Sequence, residues 1–288
     1  MSLVKSGESR RKVGQGASFG ALPLTGLVFA GLIAVALPGD GNTALSAETA
    51  GAKAALRICA DPDNLPFSAS DQTNRGLYIE YAEAIAAELG AATEPIWFRN
   101  IYGKRAVRST LLSGQCDMYV GLPAEGFMRP MVAFSKPFLS VGYALVTPKD
   151  KPISGLADLH GQKVAAQFAS PPQSKLAATD GIELVTVLSP EEGMQALAEG
   201  RVAAAYLWGP SAGYLNKTVF ADAFALLPTT GRGMRWEVAI GFRPKDTELK
   251  AQVEKAMVSL ANSVLPALAA KYGFPGETGA ISQRKVAP

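Results

Sequence analysis

Short apolar or alternating runs recur along the chain, at 56–60, 96–98, 117–122, 141–147, 163–168, 183–188, 202–207 and 236–242. Each is too short for a helix and long enough for a strand covered on one or both faces. Stretches with helical spacing lie between them. Segment 78–89 places Ala82, Ile85, Ala86 and Leu89 on one face and stops at Gly90, and 107–112 stops at Gly114. A short helical turn is expected at 156–161 and a helix at 171–178. Ser189-Pro190-Glu191-Glu192 is the clearest start, with Ser at the N-cap, Pro at the first helical position and Glu three residues beyond the cap. That helix runs to Glu199 and ends at Gly200. A long helical region at 246–271 is expected to break near Pro266.

Strand and helix alternate as βαβαβ, which predicts an α/β fold with parallel sheets. The chain reaches a crossing at 148–152, builds a second unit, and returns with a final strand and helix to the first. The fold expected is two lobes, two parallel-rich sheets around a cleft. Lobe 1 is 55–147 plus 232–275, lobe 2 is 148–231, and 276–288 is a loose tail. A double crossing of this kind serves as a hinge that closes on a ligand.

Composition narrows the setting. With 288 residues, 48% hydrophobic and 18% charged, the chain has material for a sizeable core. Of its 28 cations and 25 acids, four cations and two acids precede residue 48, leaving 24 against 23. No basic field remains to argue for a nucleic-acid partner. Arg10-Arg11-Lys12 precede the uncharged stretch 13–39, so 1–47 reads as a signal peptide cut between Ala47 and Glu48, by the general or the twin-arginine route. The alternative is an uncleaved membrane anchor. Either way the protein is expected in the periplasm.

Two cysteines, Cys59 and Cys116, fit an oxidising compartment. The expected strand register does not obviously bring them together, so a disulfide and two buried thiols both stand. No C-x-x-C and a single histidine leave no zinc or haem signature, and neither a metal nor a cofactor is expected. Gly209-Pro210-Ser211-Ala212-Gly213 satisfies G-x-S-x-G, the nucleophile elbow of serine hydrolases. That chemistry needs a later histidine base, and the only histidine, His160, comes earlier. A serine hydrolase is therefore a remote alternative, and no catalytic residue is assigned.

The stretch 202–215 reads as a buried strand ending in an aromatic and a Gly-Pro turn. Trp208 then sits at the carboxyl end of the strand, where open α/β sheets place their ligands, or else closes the core beneath a loop. Asp61, Asn64, Phe67, Trp97, Tyr119, Arg129, Gln167 and Trp208 are the candidate cleft residues, since each lies at or just past the carboxyl end of an expected strand or in the loop opposite. Asp61 and Asn64 supply polar contacts, Phe67 and Trp208 apolar walls, and Arg129 an anion contact.

The layout of residues 55–275 resembles the type 2 periplasmic solute-binding proteins. Gly114-Gln115-Cys116-Asp117, Arg129 and Phe134-Ser135-Lys136-Pro137-Phe138 resemble the amino-acid-binding branch, in which an arginine at that offset holds a ligand carboxylate with its two-pronged guanidinium. Where that branch places an aspartate for the ligand ammonium, this chain has Val202-Ala203-Ala204 after Gly200-Arg201. A narrower likeness rests on Cys59-Ala60-Asp61-Pro62-Asp63-Asn64-Leu65-Pro66-Phe67-Ser68, Trp97-Phe98-Arg99, Gly121-Leu122-Pro123-Ala124 and Trp208-Gly209-Pro210-Ser211-Ala212-Gly213-Tyr214. In that order they resemble the quinoprotein-dehydrogenase-associated family, to which the methanol-oxidation J proteins belong. This resemblance implies a non-enzymatic periplasmic protein associated with a pyrroloquinoline-quinone alcohol dehydrogenase or its cytochrome c. The alternative partner is an ABC permease, for which the chain would be the receptor of a small solute, an anion if Arg129 holds it.

Overall fold

The computed structural model describes residues 55–99 and 103–275, so the expected signal peptide (1–47) and the expected loose tail (276–288) lie outside the described residues. β1 (Ala55–Ala60) turns Leu56, Ile58 and Ala60 into one core, and a short hairpin follows it, β2 (Asp63–Asn64) and β3 (Ser68–Ala69). α1 (Leu77–Glu88) buries Leu77, Ile79, Tyr81, Ala82, Ile85 and Ala86 against β1. β4 (Ala92–Trp97) pairs parallel with β1 on one side, and β5 (Met118–Pro123) pairs parallel with it on the other. Between them α2 covers Lys104–Ser109, one turn earlier than expected. Its Val107 packs with Leu111, Leu122 and Phe134 on the sheet's second face. Both faces are thus covered, as strands in a parallel group require.

The chain continues through β6 (Ala133–Phe134) into β7 (Leu139–Pro148), the longest strand. After a 3-10 turn at Leu156–Leu159 come β8 (Lys163–Gln167), α3 (Pro171–Ala177), β9 (Glu183–Val187), α4 (Pro190–Ala198) and β10 (Ala204–Trp208). Ser189 caps α4 as expected, its Oγ accepting from the N–H of Glu192 at 3.3 Å. β10 alternates cleanly: Ala204 and Tyr206 pack with Leu176 of α3, while Ala205 and Leu207 pack with Met194 and Leu197 of α4.

The Gly-Pro turn expected after Trp208 is instead the first turn of α5 (Gly209–Thr218). Proline is tolerated there because the first N–H groups of a helix have no intrahelical acceptor. β11 (Phe224–Pro228) was not expected. It is a half-buried strand of Ala and Leu, a pattern with little strand signature. β12 (Arg235–Phe242) is followed by α6 (Thr247–Leu260) and α7 (Val264–Lys271). The break between these two helices lies at 261–263, and Pro266 falls in the first turn of α7, for the same reason as Pro210.

The two expected parallel groups, β4-β1-β5 and β10-β8-β9, are joined through antiparallel β12 and β7 into one hydrogen-bonded path, β4-β1-β5-β12-β7-β10-β8-β9. β7 serves both halves. Leu139 to Gly142 pair with β12, while Tyr143 onward pairs with β10, and Ala144 onward with β11. The partner switch falls between Gly142 and Tyr143, ahead of the 148–152 crossing. Among the described residues, no helix is long and apolar enough to cross a membrane.

Candidate functional site

The partner switch in β7 creates the centre of the site. Tyr143 is in register with Trp208 of β10, and two residues earlier along β7, Val141 is in register with Trp236 of β12. Three rings are therefore brought together by strand pairing alone. Tyr143 and Trp208 have centroids 5.4 Å apart, Tyr143 and Trp236 5.9 Å, and Trp208 and Trp236 5.5 Å. These separations and their tilted or edge-on angles are those that aromatic quadrupoles favour.

Opposite stands the β2–β3 hairpin, fixed to the start of α1. The N–H groups of Leu77 and Tyr78 donate to the carbonyls of Pro66 and Phe67 at 2.9 and 2.8 Å. The Phe67 and Tyr78 rings lie 5.0 Å apart. Tyr78 in turn rests on β5 at Gly121, whose φ of +101° is a conformation that L side chains rarely adopt. A Cβ there would overlap the Tyr78 ring, so Gly121 is required both by its backbone and by the close approach.

Between these walls lies a cavity of about 260 Å³, lined by Asn64, Phe67, Tyr78 and Gly121 on one side and by Trp208, Trp236, Val141 and Val238 on the other, with Pro123 at its edge. Asn64, Tyr78 and Gly121 also border a recess of about 30 Å³, walled further by Asp61, Ser68 and Tyr119. Asp61 and Tyr119 are 7% and 5% exposed. An Asp61 carboxylate oxygen accepts the N–H of Asp63 at 3.0 Å. Burial, and then the charge of Asp61, raise the Tyr119 phenol above its ordinary pKa. Tyr78 is raised too, by burial first. Both are therefore neutral hydroxyls at physiological pH. Among the described residues, no Lys, Arg or His lines the cavity or the recess.

Of the residues singled out from the sequence, Asn64, Phe67 and Trp208 border the cavity, and Asp61, Asn64 and Tyr119 border the recess. Three lie apart from both. Trp97 ends β4 opposite Ala60 and is 36% exposed. Arg129 donates to the Ala124 carbonyl at 3.3 Å and stands 5.3 Å over the Phe134 ring in a cation–π contact. Gln167 ends β8 and donates to the Leu188 carbonyl at 3.4 Å. Sequence reading missed Tyr78, Tyr143 and Trp236. The signal for the last two is an aromatic in each of two strands that follow or precede a crossing.

Cys59 and Cys116 form a disulfide, with Cα atoms 5.4 Å apart. Strand register pairs Cys59 with Tyr119, but Cys116 lies off the strand, in the turn ahead of β5, and that turn brings it to Cys59.

The G-x-S-x-G match has a packing explanation. A Cβ on Gly213 would overlap the Gly273 carbonyl beyond α7, so the glycine permits α5 to meet the end of α7. Around it Asn74 donates to the Tyr214 hydroxyl at 2.6 Å, Tyr214 stacks on Tyr272, and Lys217 donates to the Ala270 carbonyl at 2.7 Å. His160 sits ahead of β8 and Ser211 follows β10. Since β8 and β10 are parallel and in register, the two residues lie at opposite ends of the sheet. No group of three His, Cys, Asp or Glu among the described residues could hold a metal.

Residues 56–275 match the model of the bacterial extracellular solute-binding proteins, family 3. No curated protein matches the chain. Solved structures with the same fold include MxaJ from Methlophaga aminisulfidivorans MPT, 23% identical over 76% of this chain and 99% of that one, with a TM-score of 0.60. A polar amino acid ABC uptake transporter substrate-binding protein from Streptococcus thermophilus is 19% identical over 76% and 86%, with a TM-score of 0.66. The L-cystine solute receptor of Neisseria gonorrhoeae, in its unliganded open conformation, is 20% identical over 77% and 93%, with a TM-score of 0.65.

Proposed function

The chain belongs to family 3 of the bacterial extracellular solute-binding proteins, and from that membership we propose that it is an exported, non-catalytic protein holding a small molecule between its two halves. The observation that carries this reading is the aromatic cavity at the β7 switch, with Phe67 and Tyr78 on one side and Trp208 and Trp236 on the other. Its volume of about 260 Å³ falls just under the range of about 300–1,000 Å³ usual for ligand pockets, which suits a compact ligand. Thermal-shift screening of small polar, aromatic and aliphatic compounds tests it. Binding that raises the melting temperature of the native protein and is lost in Trp208→Ala supports the reading, and a screen with no stabilising compound refutes it.

The biological role we assign is that of an accessory to a pyrroloquinoline-quinone alcohol dehydrogenase and its cytochrome c. It is supported by the ordered sequence matches to the quinoprotein-dehydrogenase-associated family and by a lining unlike that of an amino-acid receptor. A zwitterionic amino acid is best met by a cation at its carboxylate, and none lines the site among the described residues. Affinity capture from a periplasmic extract should recover the dehydrogenase or the cytochrome, and deletion should lower dehydrogenase activity; failure of both sinks the assignment. Importer receptor is the second reading, favoured by the family match itself. Co-purification with a permease, together with loss of solute uptake on deletion, would decide for it. Cell fractionation and N-terminal sequencing test export and cleavage after Ala47.

A further inference from the structure

Charge is not spread evenly over this chain. The 22 residues 95–116 hold four cations, Arg99, Lys104, Arg105 and Arg108, and no acid. From residue 48 onward there are 24 cations against 23 acids, so outside this stretch 20 cations face 23 acids. The surplus of positive charge therefore belongs to one short segment. The fold keeps it together, because Phe98, just past the end of β4, and Val107 of α2 pack into the same cluster.

α2 sorts its residues by face. Ala106 and Val107 are buried, while Lys104, Arg105 and Arg108 are exposed. Lys104 and Arg108 are four apart and Arg105 and Arg108 three apart, so like charges are neighbours on the helix surface, at a cost of about 0.2–0.5 kcal/mol per pair. No acid stands three or four residues from any of them to offset it. The cluster is thus mildly unfavourable to its own helix, and stability does not account for it. Arg99 meets one acid, Asp63, at 3.2 Å, and with both side chains exposed such a pair contributes little. Arg99 and Arg105 border a surface groove whose lining includes Phe98, Ala106 and Ser109. Arginine beside an aromatic is the composition of protein interfaces more than of free surface.

We infer that the face formed by α2 and the end of β4 docks the acidic surface of a partner protein, with Lys104, Arg105 and Arg108 as its charged contacts and the groove between Arg99 and Arg105 beside them. Guanidinium forks suit carboxylates, and complementary charge sets the rate and register of docking. A bilayer is a poorer occupant, because the apolar side chains of α2 are buried and leave none to insert among headgroups. A nucleic acid calls for a longer basic stripe than this six-residue helix presents. The described linings of groove and aromatic cavity share no residue, so docking here leaves the cavity free. The choice of partners to test rests on the functional readings above: the dehydrogenase and its cytochrome c for an accessory, a permease for an importer receptor.

The test is biolayer interferometry of the native protein, from residue 48 onward, against the purified quinoprotein dehydrogenase, the cytochrome c and the permease complex of the same organism in turn, with heparin and phosphatidylglycerol vesicles as polyanions that are not proteins. Arg105→Glu combined with Arg108→Glu should slow association with at least one of the three proteins by about tenfold or more at about 20 mM salt, and by less than about threefold at about 500 mM, where screening is strong. Lys255→Glu, exposed on α6, should change association by less than about twofold. Arg105→Gln combined with Arg108→Gln should give a smaller loss in the same direction, which keeps the test decisive if the double reversal disturbs the fold. Binding of the dehydrogenase or cytochrome that the α2 variants leave unchanged overturns the docking face and leaves the accessory reading standing. Binding of the permease complex alone, weakened by the α2 variants, supports the face and decides against the accessory role. Binding of heparin or vesicles with none of the three proteins bound overturns a protein partner, and no binding at all overturns the face together with both partner readings.

Discussion

Replacing Gly121 by alanine probes how the site is built. Two costs are expected. The first is backbone strain, because φ is +101° at this position; holding an L residue in such a region costs about 1–3 kcal/mol. The second is overlap of the new methyl with the Tyr78 ring, and overpacking of this kind costs about 1–3 kcal/mol. Gly121→Ala should therefore lose about 2–6 kcal/mol in urea unfolding. The two parts separate in a double-mutant cycle with Tyr78→Ala, which removes the ring and opens space for the methyl. In that background only the backbone cost remains, so the coupling between positions 121 and 78 should be about 1–3 kcal/mol and favourable. The midpoint and slope of the transition, followed by far-UV circular dichroism, give each corner of the cycle. A Gly121→Ala cost that is the same with and without the Tyr78 ring would refute the contact. A cost under about 0.5 kcal/mol would refute the backbone argument as well.

Three further outcomes are expected. Opening the Cys59–Cys116 bridge by double substitution to serine releases a closure spanning 57 residues, which by chain entropy should cost about 4 kcal/mol and lower the melting temperature by about 10 °C; a loss under 1 kcal/mol would contradict it. Asp117 is the partly buried hub for Arg57 and Arg243, at 2.6 and 3.3 Å. Burial acts to raise its pKa, but the bonds from Arg57 and Arg243 outweigh it and hold the carboxyl below its ordinary value. Its contribution is therefore present above the ordinary carboxylate range and is lost as pH falls through the depressed value. Asp117→Asn should cost about 2 kcal/mol at pH 7, with the deficit shrinking only below about pH 4; a deficit constant down to pH 2 would contradict that. Finally, Ser211→Ala should change stability by less than about 0.5 kcal/mol, while Gly213→Ala, which drives a methyl onto the Gly273 carbonyl, should lose about 2 kcal/mol. The reverse order would revive a functional reading of the G-x-S-x-G match.

Local signals in the sequence located most elements because each had its own cause nearby. Ser189 caps α4 through its own side chain, and the alternation at 56–60 and the helical face from Ala82 to Ala86 appear where they were read. Misreadings arose where tertiary contact decides. Gly209-Pro210 looks like a turn in isolation, yet it starts α5, whose Gly213 is matched to the end of α7. The disulfide depends on a turn that strand register does not describe. The site shows the same division. Asn64, Phe67 and Trp208 could be chosen as loop or strand-end residues, but Tyr143 and Trp236 join them only because β7 changes partners between Gly142 and Tyr143. Arg129 was read from its offset to Phe134, and the offset places its guanidinium over that ring.

The chain has three tryptophans, Trp97, Trp208 and Trp236, of which the last two wall the cavity and the first lies outside it. Nuclear magnetic resonance of the three indole N–H groups, with 15N-labelled tryptophan and a compound that raises the melting temperature as titrant, therefore reads the central claim directly. The Trp208 and Trp236 resonances should move together along one saturable curve while Trp97 stays in place. Movement of Trp97 alone, or three unmoved resonances with every titrant that stabilises the protein, would contradict a ligand held at the strand that the two halves share.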